Sequence, residues 1–447
     1  MSLLSFILWF YFTTNWLLMH LNIARFQFLA DALHGTGGFR PQVSRITGTP
    51  ALSGVSYLIQ YPREGDEKFA RRNEVAWYAN DLGAACSRFA GYLAKRPPMR
   101  VTANPLLATF IDDCNWRGDA LDVFWSAFTV EAKARGSMLL LVDMPSDPNA
   151  GRSVPYLLAI APEDVAHLSV NEQGLVDFCE IYTDDGVIRG WDTERWWVRK
   201  GEQRLDEGEH GLGACPVLAF TESEFPNEGE FAQIADLSRR LFNLHSELDE
   251  ILRAQTFSLL TYQIPVEQAG LLDIATVAAQ IGTHNMLVHS GNTPAFIAPP
   301  DGPATIYLSR IAAMEEKIRR IGHMVEAPDK AESGIALTIR FQQLNSSLSH
   351  WAARMSDLES RVWDLVTRWL GLSFESVAVS WNDDYALTDI SAELDILTAM
   401  QMTGFSDATL SAKRQSIVAL ALSGLPEDEL SALLAAEGDV MHERTPI

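Results

Sequence analysis

The strongest periodic pattern in the chain runs from Ile335 to Leu370 and reads IALTIRFQQLNSSLSHWAARMSDLESRVWDLVTRWL. Its large apolar residues alternate spacings of four and three without a miss. They are Leu337, Phe341, Leu344, Leu348, Trp351, Met355, Leu358, Val362, Leu365 and Trp369. A sustained period of about 3.5 residues is typical of a long α-helix packed against other helices. At 1.5 Å per residue this helix would be roughly 54 Å long, and Gly371 predicts its end.

Two more long helices are predicted before it, over residues 231–260 and 304–324. The first carries apolar residues every three or four positions, and the second carries a stripe of apolar residues along one side. The stripe consists of Tyr307, Ile311, Met314, Ile318, Ile321 and Val325. The segment between the helices is rich in proline, contains no Lys or Arg, and holds two short predicted strands, Met286–His289 and Ala295–Ile297. The pattern therefore indicates two long helices that flank a small insertion.

The chain before these helices mixes predicted helices with predicted strands, which indicates an α+β fold. One helix is predicted over Asp66–Lys95, closed by Pro97 and Pro98, and a second over Asp119–Arg135, closed by Gly136. A buried strand, Met138–Val142, follows directly. Further strands are predicted at Tyr156–Ile160, Phe178–Tyr182, Arg195–Arg199 and Val217–Phe220, and after the long helix at Ser376–Trp381. A terminal helical region is predicted over Ala386–Glu437.

Composition excludes several classes of protein. The chain has 447 residues, of which 47% are hydrophobic, and this much apolar content excludes wholesale disorder. The formal net charge is −23, so the chain does not coat DNA or anionic membrane by bulk attraction. From Leu372 onward, 13 acidic residues stand against three basic ones. One basic group lies in the first region and fits a solvated helix face or a partner contact: Arg63, Lys68, Arg71, Arg72, Arg88, Lys95, Arg96 and Arg100.

The N-terminus raises the one question about membranes. Residues 1–22 form an apolar extension, and Leu3–Met19 is almost wholly apolar, slightly short for a spanning helix and interrupted by Thr13, Thr14 and Asn15. Three interpretations stay open: a start site placed too early, with Met19 the true start; a segment that associates with a membrane; or a packed helix. The rest of the sequence has no spanning segment, so a membrane partner is not expected.

The sequence contains few residues that suggest chemistry. Four scattered cysteines predict buried, reduced thiols rather than a disulfide framework or a zinc site. Sequence motifs for a phosphate-binding P-loop, a zinc protease and a serine hydrolase are all missing, and His284 and His289 do not share a helix face. We therefore expect no catalytic residue, cofactor or metal. The alternative is an enzyme with a carboxylate-based hydrolytic site in residues 138–220.

The order of segments resembles the portal proteins of tailed bacteriophages, which connect head to tail. The most specific match is Glu332–Leu337, ESGIAL, which resembles the opening of the long portal helix, with Ser333 and Gly334 at the helix start. Other segments are similar in kind: Tyr78–Asn80 with Tyr92–Pro98, Arg135–Pro145, Pro162–Val165 and Gly211–Val217.

This resemblance implies a division of the chain into named regions. They are an α+β wing over 23–230, a first stem helix over 231–260, a clip over 261–303, a second stem helix over 304–324, a channel loop over 325–334, a long wing helix and strand over 335–385, and an acidic helical crown over 386–447. The loop would face DNA through Glu326, Pro328, Asp329, Lys330 and Glu332. The clip would meet partners through Glu267, Asp273, His284 and His289.

The resemblance also implies a location and partners. The chain would form a ring, a dodecamer in assembled family members, at one vertex of the capsid in the virion, after assembly in the host cytoplasm. Double-stranded DNA would pass through its channel without sequence specificity. Expected protein partners are the terminase large subunit, head-completion or tail adaptor proteins, and the major capsid and scaffolding proteins. A membrane-tethered helical scaffold is the second alternative.

Overall fold

The computed structural model describes residues 21–45, 48–145, 151–183, 186–222, 225–256, 259–263, 286–289, 295–297, 302–324, 334–374, 377–383, 385 and 390–421. The chain divides into two compact units, residues 1–383 and 384–447. Helices and several sheets alternate in the first unit, which confirms the α+β class.

The described residues of the first part of the first unit form five α-helices. They are α1 (Ile23–His34), α2 (Asp66–Val75), α3 (Asp81–Ala94), α4 (Pro105–Asp112) and α5 (Leu121–Arg135). Helix α5 ends as predicted, because Gly136 takes the left-handed conformation that closes a helix. Helix α3 packs along α5, and α1 packs on α5 as well.

The single helix predicted over Asp66–Lys95 is wrong, because the chain breaks between α2 and α3. Ala76 has extended backbone angles, and Asn80 caps α3 by accepting a hydrogen bond from the amide of Gly83 at 2.9 Å. Between them, Tyr78 is buried in the core. A capping side chain satisfies a free amide at a helix start, so two short helices with a buried aromatic residue between them replace one long helix.

The strands form small antiparallel sheets. The bounds are β1 (Gln42–Ser44), β2 (Ala51–Ser53), β3 (Met99–Val101), β4 (Ser137–Asp143), β5 (Tyr156–Ile160), β6 (Val165–Val170), β7 (Val176–Tyr182), β8 (Val187–Trp191), β9 (Arg195–Lys200), β10 (Gln203–Glu209) and β11 (Val217–Thr221). One sheet has the order β11-β4-β5 and another the order β10-β9-β8-β7-β6, while β1 pairs with β2. The predicted strands are confirmed, and β1, β2, β3, β6, β8 and β10 are additions.

The second half of the first unit contains the long helices. They are α6 (Ala232–Thr256), α7 (Gly302–Ile321) and α8 (Gly334–Leu370), followed by β15 (Ala378–Ser380), which pairs with β3. Between α6 and α7 lie β12 (Leu259–Gln263), β13 (Met286–His289) and β14 (Ala295–Ile297). The prediction that the first helix runs to Leu260 is wrong, since α6 ends at Thr256 and β12 starts at Leu259. The short strands β13 and β14 are confirmed.

The stripe along α8 lies in the core. Its members Leu344, Leu348, Trp351, Met355, Leu358, Val362 and Leu365 are all buried. The helix ends at Gly371, whose left-handed backbone follows Leu370. The 3.5-residue period therefore marks the buried side of this helix, as predicted.

The second unit contains two described helices, α9 (Ile390–Met402) and α10 (Asp407–Ala421). Leu397, Leu410 and Ile417 are buried together between them. Lys413 of α10 forms an ion pair with Glu393 of α9. The remainder of the predicted terminal helical region lies outside the described residues.

A close approach of two backbone segments joins α5 to the start of α6. Gly136 has φ +80°, and a Cβ atom there would lie 1.8 Å from the backbone nitrogen of Gly229. The carbonyl of Gly136 also accepts a hydrogen bond from the amide of Glu222 at 2.9 Å. Only glycine fits this position, for reasons of both conformation and space.

We expect Gly136→Ala to destabilise the first unit by about 2 to 3 kcal/mol. The cost of a left-handed backbone at alanine and the cost of steric overlap between its Cβ atom and Gly229 add together. Gly118 is the matched control. It has φ +89° but open space around its Cα. Gly118→Ala should therefore lose only the free energy of the left-handed backbone strain, about 1 kcal/mol. Urea unfolding of both variants measures the difference, and equal losses would show that the close approach costs nothing.

Candidate functional site

Helix α7 is held to the rest of the first unit along a narrow seam. It packs along α6, and its buried residues are Ala304, Ile311 and Ile318, spaced by seven. The other described members of the predicted stripe, Tyr307, Met314 and Ile321, are half-buried beside this seam. Ile306 on the other side of the helix is 68% exposed and Leu308 is 56% exposed. Most of the surface of α7 is therefore open to solvent.

Two contacts fix the antiparallel register of α6 and α7. Glu247 of α6 accepts a hydrogen bond from the Tyr307 hydroxyl of α7 at 2.7 Å and a second from Tyr61. At the other end, Nε2 of His323 lies 3.3 Å from Oε1 of Glu230. In an antiparallel pair, one residue number rises as the other falls, so their sum stays constant when neither helix slips. The sums for these two pairs differ by only one, so α6 and α7 lie side by side in one register.

A buried lysine anchors this pair of helices to the body of the unit. Lys133 of α5 is fully buried. Its Nζ lies 4.6 Å from the ring centroids of Phe89 and Phe231 and 5.0 Å from the Trp351 ring of α8. Such an arrangement attracts a cation through the negative faces of the rings.

Two carboxylates complete the surroundings of Lys133. Glu222, directly after β11, forms an ion pair with Nζ, and Glu230, directly before α6, lies at 3.3 Å. Burial alone would raise the pKa of Glu230. The close contact with His323 and the charge of Lys133 outweigh burial and lower that pKa below its ordinary value. One ammonium group thus links α3, α5, α8 and the segment that connects β11 to α6.

A second buried ion pair lies under the C-terminal half of α8. Glu359 is fully buried, and its carboxylate accepts hydrogen bonds from Arg100 Nε at 2.5 Å and Arg100 Nη2 at 3.2 Å. The indole nitrogens of Trp363 and Trp381 also donate to it, at 3.1 and 2.8 Å. This carboxylate fixes α8 to the β3–β15 sheet.

The basic surface suggested by the sequence is smaller than expected. Arg72 and Arg100 are buried in ion pairs, Arg72 with Glu64 at 2.9 Å and Arg100 with Glu359. Arg72 also donates to the carbonyl of Ile59. These two arginines stabilise the interior and are not available to a nucleic acid or a partner.

Most of the predicted site residues lie outside the described part of the chain. This holds for Glu326, Pro328, Asp329, Lys330 and Glu332 of the predicted channel loop, for Ser333, and for Glu267, Asp273 and His284 of the predicted clip. His289 is the last residue of β13, and Gly334 is the first residue of α8. The roles predicted for these residues stay predictions.

The ionic anchors were missed by the sequence analysis, although the sequence carries a signal for one of them. Glu359 lies four residues after Met355 and three before Val362, so it shares the packed side of the helix with the apolar stripe. A charged residue at such a position indicates a buried partner. Lys133 has no comparable signal, because α5 is apolar on several sides.

Two carboxylates of residues 138–220, those of Glu163 and Glu180, are paired with arginine side chains. Glu163 pairs with Arg135 at 2.5 Å. Glu180 accepts hydrogen bonds from Arg199 and Trp197, which hold its pKa at about 2 despite the opposing effect of burial. A general acid in hydrolysis needs a raised pKa, so these two groups do not suit that role. A cleft of about 380 Å³ lies elsewhere and is lined by Arg45, Gly48, Pro50, Arg71, Glu74, Val75 and Arg253.

The cysteines are buried, as predicted. Cys86, Cys114, Cys179 and Cys215 are all free thiols, and burial raises the pKa of each. Such thiols are poor nucleophiles. Within the described residues no group of three or more His, Cys, Asp or Glu side chains is placed to hold a metal ion. None of the described helices is long and apolar enough to cross a membrane.

Comparison with known proteins finds similarity only among solved structures. No protein-family model matches the sequence, and no curated protein matches it. A chain in the virion of a native gene transfer agent particle is 13% identical, with a TM-score of 0.44 over 90% of this chain and 99% of that chain. A chain in the neck of an empty particle, computed with C6 symmetry, is 14% identical with a TM-score of 0.45, over 77% and 90% of the two chains. A chain in the neck of the native particle, computed with C12 symmetry, is 13% identical with a TM-score of 0.43, over the same shares.

Proposed function

We propose that this chain is the subunit of a portal, a ring that connects a phage-like head to its tail and conducts double-stranded DNA. The observation that carries the proposal is the exposure of α7. A 20-residue helix held along one narrow seam leaves most of its surface uncovered, including the side chain of Ile306. Copies of the same chain arranged around an axis would cover such a helix, and closed rings are a common result of head-to-tail contacts.

The sequence supports the same proposal independently. The order of two long helices around a small insertion, followed by ESGIAL and a heptad-patterned helix, resembles the portal family. Helices α6, α7 and α8 occupy the corresponding stretches of the chain. In the ring, α6 and α7 would form the stem around the channel, and α8 would belong to the wing.

The charge of the chain suits a conduit that does not hold its cargo. Duplex DNA carries one phosphate charge per about 1.7 Å, and a strongly basic wall would retain it. A subunit with a net charge of −23 repels the backbone and leaves the duplex free to move. In this proposal the Lys133 anchor keeps the stem helices fixed to the wing while DNA passes.

The remaining regions are assigned by the same resemblance. The loop with Glu326, Pro328, Asp329, Lys330 and Glu332 would project into the channel, with Lys330 touching phosphates transiently. The clip, 261–303, would dock the terminase large subunit during packaging and head-completion or tail adaptors afterwards. The acidic residues after 386 would face the capsid interior, next to the scaffolding and major capsid proteins.

The assembly state of the full-length chain tests the proposal. We expect light scattering to give a mass of roughly half a megadalton or more, and negative-stain images to show rings with a central hole. Should the chain stay a single copy even with its scaffolding protein added, the proposal would be wrong.

A further inference from the structure

The solvent face of α7 carries a group of unpaired cations. Arg310, Lys317 and Arg320 are exposed, and none of them forms an ion pair within the described residues. At 100° per residue, all three lie about 100° to 180° around the helix from the centre of the buried seam. Ile306, which is also exposed, lies on the same face. This face combines three positive charges with an apolar residue.

A compact acidic group lies on the surface near the start of α6. Arg25 of α1 donates to Glu228 at 2.7 and 2.9 Å and to Asp236 at 2.6 and 2.9 Å. Two carboxylates share one guanidinium, so the group keeps one net negative charge. Both carboxylate side chains reach the surface, Glu228 at 40% exposure and Asp236 at 55%. The acidic group can therefore accept a further cation.

The antiparallel register places the two charged groups at the same height. The contacts of Tyr307 with Glu247 and of His323 with Glu230 put Lys317 level with Asp236 along the paired helices. Arg320 lies three residues away, about 4.5 Å along the helix. Within one chain Asp236 pairs with Arg25, and Lys317 has no ion pair among the described residues. In the proposed stem the paired helices run along the ring axis, and rotation about that axis moves a residue to the next copy without changing its height.

We propose that Lys317 and Arg320 of one copy bind the Arg25–Glu228–Asp236 group of the next copy in the ring. The inference rests on the proposed function, since it requires a ring, and it names the surfaces that meet. Opposite charges at one height provide the complementarity, and Ile306 supplies an apolar contact beside them. A phosphate backbone would also attract the cations, but an exposed isoleucine in the same face fits a protein partner better.

The test uses charge reversal in two variants of the full chain, alone and mixed. Lys317→Glu places a carboxylate opposite Asp236 of the next copy, and Asp236→Lys places an ammonium opposite Lys317. We expect each variant alone to need at least about a tenfold higher concentration for ring assembly than the wild type. In the Lys317→Glu variant positions 317 and 236 are both negative, and in the Asp236→Lys variant both are positive. In an equimolar mixture, subunits of the two variants that alternate around the ring therefore present opposite charges at every contact. Assembly of the mixture should therefore return towards the wild-type concentration.

Controls separate this outcome from loss of folding and from general charge effects. Arg117→Glu changes the net charge by the same amount as Lys317→Glu at another exposed position, and should assemble normally. Asp236→Asn keeps an oxygen that accepts from Arg25, and should weaken assembly less than Asp236→Lys does. Unfolding of each variant as a single copy checks that the fold is intact.

Three other outcomes would overturn the inference. If the wild type forms no rings, the proposed function and this contact both fall. If the wild type forms rings and the single variants do so equally well, only the contact is wrong. If the variants form normal rings that hold or pass DNA differently, the cations face the channel instead of the next copy.

Discussion

Lys133→Met should destabilise the first unit by about 3 to 5 kcal/mol, the cost typical of removing one partner from a buried ion pair. Methionine fills the apolar space between Phe89, Phe231 and Trp351, so packing is largely kept. The carboxylate of Glu222, however, loses the cation that offsets its burial. Urea unfolding followed by tryptophan fluorescence measures the loss. All the tryptophans precede Asp383, so this signal reports the first unit alone.

Lys95→Met is the matched control. Lys95 lies 5.0 Å from the centre of the Tyr92 ring but is exposed, so its removal should cost less than about 1 kcal/mol. Adding Glu222→Gln to Lys133→Met should recover part of the lost stability, because a neutral amide replaces the unpaired charge. A Lys133→Met protein within 1 kcal/mol of the wild type would show that the anchor is not energetically important.

The local pattern of apolar residues predicted α5, the long helices α6, α7 and α8, and eight of the described strands, whereas helices α1 and α4 were not predicted. The buried side of α8 follows from the spacing of Leu344, Trp351 and the residues between, since a helical period is a property of neighbouring residues. The end of α5 follows from a local signal, Gly136, whereas its start at Leu121 lies two residues after the predicted Asp119. The insertion strands β13 and β14 have the predicted bounds.

Contacts between distant residues account for what the sequence did not predict. Arg72 and Arg100 were expected on a surface, yet the partner of Arg100 is Glu359, 259 residues later. Lys133 meets Glu222, 89 residues later. Whether a charged side chain is buried depends on such partners, and a single sequence does not reveal them. The broken helix after α2 has the same cause, since Tyr78 turns into a core built by other segments.

The candidate site was predicted unevenly for a related reason. The two long helices and their insertion followed from periodicity and resemblance, whereas the face that α7 leaves open required the structure. Lys317 and Asp236 are 81 positions apart in the sequence, and only the register of α6 and α7 places them at one height. The predicted channel loop and clip contacts still await such a geometric test.

Glu359→Gln should destabilise the first unit by about 3 to 4 kcal/mol, because Arg100 then lacks its buried counter-charge. The amide has nearly the same shape as the carboxylate, so the change isolates the charge. The indole N–H groups of Trp363 and Trp381 both donate to this carboxylate, so the fluorescence of these two tryptophans reports on the same site. Urea unfolding of the variant gives the free energy.

Asp122→Asn supplies the comparison, because Asp122 binds the same guanidinium from the other side. Its carboxylate lies 2.5 Å from Nη1 of Arg100 but is 51% exposed. Solvent screens an exposed pair, so this variant should lose less than about 1 kcal/mol. A large loss for Glu359→Gln beside a small loss for Asp122→Asn would show that burial, not the mere presence of a carboxylate, gives the ion pair its strength. Equal losses would mean that Arg100 is held by both carboxylates alike, and that α8 is fixed mainly by its apolar stripe.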